Sequence, residues 1–357
     1  MTQAVALAQL GNSSVNFRNR IINGDMRIDQ RNAGASVSTT TSAYSVDRWL
    51  PYAGQTSKMT AQQNAGSVTP PAGFGNYLGI TSSSAYSVIS SDIFGVFQYI
   101  EGYNIADLGW GSANAQPITL SFWVRSSLTG TFGGALRNSA ADRSYPFTYT
   151  ISSANTWEYK TITIPGDTSG TWLTTNGVGI RLQFGLGVGS NFSGTAGAWS
   201  AGNFISATGA TSVVGTSGAT FYITGVQLEK GSVTTSFEYR LYGTELALCQ
   251  RYFEKSYVSG TVPATVTEVG VAHTLVGNSA GNPASNVYFK VSKRTTPTEL
   301  SIYSPITGTI AKVRNSTAGA DENSTVYGTS ENGFAALGST STSATCFRFQ
   351  WTAGSEL

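Results

Sequence analysis

The chemistry open to this chain is narrowed first by the residues it lacks. His273 is the single imidazole among 357 residues, so a nucleophilic triad or a histidine-based zinc centre is poorly supplied. A histidine lying on a strand is the simpler reading. Cys249 and Cys346 are too few for a disulfide scaffold, and their apolar surroundings read as buried free thiols. Gly185, Gly187 and Gly189 have the look of a dinucleotide fingerprint, but no βαβ unit follows, and there is no P-loop. Glu158, Asp167 and Glu229 are the carboxylates that could serve glycoside hydrolysis, which needs two of them facing each other across about 5–9 Å. Nothing in their spacing brings two together. The expectation is a protein that is not an enzyme and holds neither metal nor cofactor.

Binding is better supplied. A hydrated glycan is met by an aromatic ring on its C–H face and by Asn, Ser, Thr and Tyr at its hydroxyls. Residues 185–218 are broken by glycines, with Phe192, Trp199, Phe204 and Ile205 as the bulky groups. A loop of that length is functional or a linker. Phe192 and Trp199 are the ligand-binding candidates there, set against the simpler reading that Trp199 and Phe204 pin the loop to a sheet. Residues 258–357 offer Tyr303 and Tyr327, with asparagines at 278, 282, 315, 323 and 332. This second set is preferred as a receptor site.

The elements that must carry these residues are strands. Residues 118–125 place Ile118, Leu120, Phe122 and Val124 on one face and Thr119, Ser121, Trp123 and Arg125 on the other. Residues 220–229 alternate likewise: Phe221 and Ile223 lie on one side, and Val226 or Leu228 continues it after a bulge at Gly225. Period two with β-branched and aromatic residues marks half-buried antiparallel strands, and these two are expected to pair. Further strands are expected around residues 59–61, 77–80, 96–100, 145–151, 157–164 and 178–186. Charged residues at 11% are far below the usual quarter, replaced by Ser, Thr, Asn and 41 Gly, which suits β structure with polar loops. The 7 Trp, 17 Tyr and 17 Phe argue against disorder. A formal charge of +2 without a basic tract gives no indication of a nucleic-acid backbone partner, and none is expected. No stretch is long and apolar enough for membrane insertion, and the N-terminus lacks the look of a secretion signal. Synthesis and folding in cytosol are expected.

The segment 19–31, Asn-Arg-Ile-Ile-Asn-Gly-Asp-Met-Arg-Ile-Asp-Gln-Arg, carries an Asn23–Gly24 turn signal that suggests a hairpin. Its charges, with Asp47 and Arg48, read as Asp–Arg pairs fixing where the chain enters a sandwich. Together with Tyr-Ser-Val-Asp-Arg-Trp at 44–49, the strands at 118–123 and 222–229, residues 155–160 and the segment 243–253, it resembles tailed-bacteriophage fibre and other virion structural proteins. The resemblance implies an all-β fold: a jelly-roll β-sandwich like a carbohydrate-binding module, then a short connecting helix and a second, smaller β domain. Its implied divisions are a virion-attachment arm at 1–18, the sandwich at 19–240, a helical trimerising connector at 241–257 and a distal β tip at 258–357. The helix itself is read at 244–250, capped by Thr244, with Leu246, Cys249 and Phe253 at helical spacing; its apolar side packs on the sandwich or lines a threefold axis, and the resemblance implies the axis. Implied partners are two further copies in a homotrimer, baseplate, tail or capsid proteins at the arm, and host surface polysaccharide. The implied location is the virion, as a tail fibre. A head fibre or decoration protein and a polysaccharide-depolymerising tailspike are the alternatives.

Overall fold

In the computed structural model, residues 17–275, 284–339 and 346–357 are described, and nearly all of their regular structure is β. Residues 1–16 of the arm at 1–18, Asn278 and Asn282 lie outside them. Two six-stranded sheets face each other. The front sheet runs Val37–Ser38, Met59–Gln63, Leu78–Ser82, Thr220–Lys230, Ile118–Ser126, Glu158–Ile164. The back sheet runs Ser200–Ala201, Arg143–Ile151, Gly130–Arg137, Val178–Val188, Ile93–Glu101, Leu50–Ala53. All neighbouring strands are antiparallel. Phe122, Leu120, Phe221 and Leu228 from the front meet Phe132, Phe147, Phe184 and Leu182 from the back in one dry core.

The expected partners at the centre of the front sheet do pair, from Phe221 opposite Ser126 to Lys230 opposite Ile118. Register slips between Thr224 and Gln227, at Gly225 in the left-handed region (φ 61°). That extra residue moves the core-facing set from Phe221 and Ile223 to Val226 and Leu228, all four fully buried.

The segment after residue 17 forms no hairpin. Asn23 (φ 58°) and Met26 (φ 59°) turn the chain in the left-handed region. The Asn23 amide donates to the carbonyls of Ile28 and Asp47, while its carbonyl accepts from the Trp49 indole. Buried side-chain bonding has replaced strand pairing here. The Asp–Arg pairs form, Arg27 to Asp25 at 3.1 Å and Arg31 to Asp47 at 3.5 Å, and Arg31 and Arg48 also reach Glu356 near the chain's end.

The helix spans Tyr242–Gln250, with Leu241 rather than Thr244 at its cap position. Its apolar side is taken by the chain itself: Cys249 is buried with Ile22, Ile28 and Tyr252, with Leu246, Leu248 and Leu357 packed around them. Of the two expectations for this helix, packing on the chain itself is the one seen for Cys249, with Leu246 partly buried beside it. Phe253, expected on the same helical face, lies instead in the strand Phe253–Lys255. That strand pairs with Cys346–Gly354, so residues assigned to the connector belong to the second sheet.

Cys346–Gly354 organises this second, eight-stranded sheet, pairing also with Ala272–Leu275, Glu299–Tyr303 and Lys312–Asn315. The hairpin Ala320–Ser330 and Gly333–Ser339, followed by Ala284–Tyr288, completes it. Phe334, Phe347, Phe349 and Trp351 make its core. Cys249 is buried as expected, whereas Cys346 is only half-buried, because it sits where its strand emerges beside the exposed His273.

Where the two units meet, the contacts are polar and buried. Glu101 accepts from Arg251 at 2.7 and 2.9 Å and from the Tyr252 hydroxyl at 2.7 Å. Lys255 donates to the carbonyls of Gln30, Ser259 and Thr261. Burial raises the Asp47 carboxyl to about 6, against the opposing pull of Arg31 and Gln30, and lowers Lys255 to about 8. A raised carboxyl leaves the folded state holding more protons between about pH 4 and 6, so stability falls with rising pH across that window. The lowered lysine does the reverse between about pH 8 and 10.5. Asp47→Asn should therefore flatten the loss between pH 4 and 6 in urea-unfolding free energies, relative to the unsubstituted chain. An identical slope in both proteins would show that Asp47 is not the group titrating.

Candidate functional site

The outer face of the front sheet carries the best-formed site. Trp123 points outward because its neighbours Phe122 and Val124 point into the core. Tyr159 stands directly opposite it on the edge strand Glu158–Ile164, with ring centroids 5.3 Å apart. Gly225 leaves the floor bare beside them. A Cβ there would lie 2.6 Å from Phe74 and 3.1 Å from Trp123.

Two straps wall this floor. One ends at Phe74. The other, residues 231–240, is tied down by buried polar groups of the same face. Glu229 accepts from the Thr235 amide and hydroxyl, Gln227 accepts from the Glu238 amide, and Thr119 donates to the Gly231 carbonyl. Phe237 and Tyr239 then close against Phe74 at 5.2 and 5.6 Å between centroids. The Tyr239 hydroxyl donates to the Gly73 carbonyl at 2.7 Å, joining the straps. Burial, with Asp25 nearby, holds that phenol above its ordinary value and keeps it a neutral donor. The Tyr159 and Thr234 hydroxyls are 3.0 Å apart.

The result is an open groove of about 870 Å³ lined by Phe74, Trp123, Tyr159, Phe237 and Tyr239, with Ser121, Thr234, Thr235 and Ser236 supplying hydroxyls. Among the described residues no carboxylate, guanidinium or ammonium lines it. Such a surface can stack against the C–H face of a neutral ring and bond its hydroxyls. It contains no acid–base pair.

The residues singled out in the sequence are scattered. Trp199 packs edge-on to Trp110 and Trp172 at 5.3 and 5.4 Å, and its indole donates to the Pro165 carbonyl at 2.7 Å. Phe192 is half-buried against another cluster with Phe97 and Ile205. These two aromatics, with Phe204 against Gly194 and Gly202, pin the glycine-rich loop to the back sheet. Tyr303 is half-buried beside Tyr257. Tyr327 is exposed on Ala320–Ser330. Asp167 is held by Arg143 through two bonds, Glu158 by Lys160 and two backbone amides, and Glu229 by the strap. Among the described residues no cluster of three His, Cys, Asp or Glu is arranged to hold a metal. The groove residues come from four separate segments, which no local pattern joins. The one signal in the sequence was Trp123 on the polar side of an otherwise apolar-faced strand.

Fold and site together define an all-β sandwich protein bearing an open aromatic groove. No family model matches the chain, and no curated protein matches its sequence. Among solved structures, it is similar over 59% of its length to the enzymatically active domain of tailspike protein 4 from bacteriophage CBA120, at 12% identity and a TM-score of 0.31. It covers 21% of that tailspike chain. It covers 98% of a family 11 carbohydrate-binding module from Clostridium thermocellum in complex with a β-1,3-1,4-mixed-linked tetrasaccharide, over 56% of its own length (11% identity, TM-score 0.27). It also covers 99% of the module TmCBM61 in complex with β-1,4-galactotriose, over 60% of its own length (10% identity, TM-score 0.32).

The bulge glycine should be irreplaceable. Gly225→Ala is expected to cost at least about 1–2 kcal/mol from its left-handed backbone alone, with more from displacing Phe74. Urea unfolding measures it, and a loss below about 0.5 kcal/mol would mean the groove floor can yield.

Proposed function

We propose that this chain is a glycan-binding fibre protein of a virion, whose sandwich groove holds a neutral polysaccharide of a host surface. The observation that carries the binding half is the groove: five aromatic rings, a ring of hydroxyls and no charged side chain within it. An uncharged lining disfavours acidic glycans, whose carboxylates would be desolvated there without a cation.

The virion half rests on the resemblance of residues 19–31, 44–49 and 243–253 to phage fibre proteins. Several of these residues, Asn19, Asn23, Glu245, Arg251 and Tyr252, build the buried joint between the sandwich, the helix and the second sheet. In this reading the arm at the N-terminus attaches to the particle and three copies assemble. Three weak sites then act together on a repetitive surface. A depolymerase is the less favoured reading, because none of Glu158, Asp167 and Glu229 lines the groove and each is engaged by its own partners, Glu229 by the strap residue Thr235.

Affinity electrophoresis through neutral galactan or mixed-linkage glucan should retard the chain, and a polyuronate should not. Trp123→Ala, which removes one stacking ring, should weaken retention about tenfold, the equivalent of about 1.4 kcal/mol. Equal retention of the Trp123→Ala, Tyr159→Ala chain would place binding elsewhere. Separately, a chain lacking residues 1–16 should keep its β-sheet circular dichroism yet fail to load onto fibreless particles. Normal loading would remove the arm from attachment.

A further inference from the structure

The second sheet has an outer face that the groove reading does not use. In the three-strand stretch formed by Ala284–Tyr288, Gly333–Ser339 and Ala320–Ser330, Val287, Phe334 and Val326 turn into the core. Their neighbours therefore turn outward, and the register arranges them in two rows. Tyr288, Gly333 and Ser330 form one row; Asn286, Ala335 and Tyr327 form the next. A bulge between Tyr327 and Ser330, with Gly328 at φ 61°, keeps Ser330 in that array.

The pattern is an aromatic ring at two diagonal corners, an amide and a hydroxyl at the other two, and a floor of glycine and alanine between. Tyr288 and Tyr327 stand two inter-strand spacings apart, about 10 Å across the strands. They are 79% and 49% exposed, and Ala335 beneath is 6% exposed. Among the described residues, the side-chain polar atoms of Asn286, Tyr288 and Tyr327 make no hydrogen bond. Asn332 at the rim uses its Oδ1 to accept from Ser292 and leaves its amide nitrogen outward. The open space above the shelf is about 280 Å³, against about 870 Å³ in the sandwich groove.

We infer that this shelf is a second saccharide site, which takes a single neutral pyranose residue between Tyr288 and Tyr327. The occupant follows from the chemistry. Two exposed phenol rings over a bare floor form a slot for a flat, C–H-faced ring, and the free Asn286 amide and the two phenol hydroxyls match a polyol better than a hydrocarbon, while the Ser330 hydroxyl is already bonded to the Gly333 carbonyl and the Asn332 backbone amide. The small volume matches one ring, and the shelf offers stacking surfaces for one ring only. No ionisable side chain lines it except the two phenols, so an acidic sugar finds no counter-charge. The inference shares the glycan-binding reading above, but depends on none of the groove's residues.

The test uses the full chain carrying Trp123→Ala, so that the sandwich groove is weakened. Saturation-transfer NMR is recorded with the methyl glycosides of glucose, galactose, mannose and N-acetylglucosamine. At least one should show transfer. Tyr288→Ala should remove it, while Tyr288→Phe, which keeps the ring, should retain it. Both positions are exposed, and circular dichroism confirms that each variant folds. Transfer from none of the four overturns the inference, as does transfer that survives the Tyr288→Ala, Tyr327→Ala pair. A lowered sedimentation coefficient in Tyr288→Ala would also overturn it, because the face would then be a contact between copies. Loss of polysaccharide retention on Trp123→Ala reads the sandwich groove alone, so the two readings fail separately.

Discussion

One extra residue in the strand Thr220–Lys230 decides both what the sandwich buries and what it displays. Before Gly225 the odd positions Phe221 and Ile223 enter the core; after it the even positions Val226 and Leu228 do. Without the slip, one half of that strand would turn its apolar side to solvent and Gln227 and Glu229 into the core. The same slip sends Gln227 and Glu229 outward, where they hold the strap that carries Phe237 and Tyr239. Groove and core are thus two faces of one register choice.

The second unit is joined by a different kind of force. The dry core stops at the joint, where Glu101, Arg251, Arg48 and Glu356 meet Tyr252, whose ring lies 3.5 Å from the Arg48 guanidinium. Nearby, Lys293 and Glu254 form a fully buried pair at 2.5 Å, with Lys293 also donating to the carbonyls of Gln250 and Val291. Buried pairs gain little net stability over an apolar packing but penalise any misplacement by leaving a charge unmet. A joint of this kind fixes orientation more than it adds affinity between the units.

That division of labour explains why the segment 19–31 is so densely charged in a chain otherwise poor in charge. Arg31 reaches Glu356 across the joint, while Arg27 and Arg240 tie the segment to the end of the strap through the carbonyls of Arg240 and Ile21. Asp47 and Lys255 are held there in unfavourable ionisation states, with burial the largest cause for both.

The sequence alone determined most strands of the sandwich, the partnership of residues 118–125 with 220–229 and the bulge at Gly225, because alternation of apolar residues is a local signal that burial enforces; it missed Leu50–Ala53 and the glycine-broken Gly130–Arg137, whose apolar residues do not alternate over enough positions. It also marked Trp123 as outward-facing, though not what stands beside it. The strand Ala320–Ser330 left no such trace, since its outward positions and several inward ones are polar and it is held by pairing with Lys312–Asn315 on one side and Gly333–Ser339 on the other. Only tertiary structure decided that the helix packs on its own chain, that Trp199 is a pin, and that Phe74, Trp123, Tyr159 and Tyr239 share a groove. Those residues are brought together by strand order and by two straps crossing one sheet face. Contact across such separations depends on which strands become neighbours, and periodicity within a strand carries no information about that.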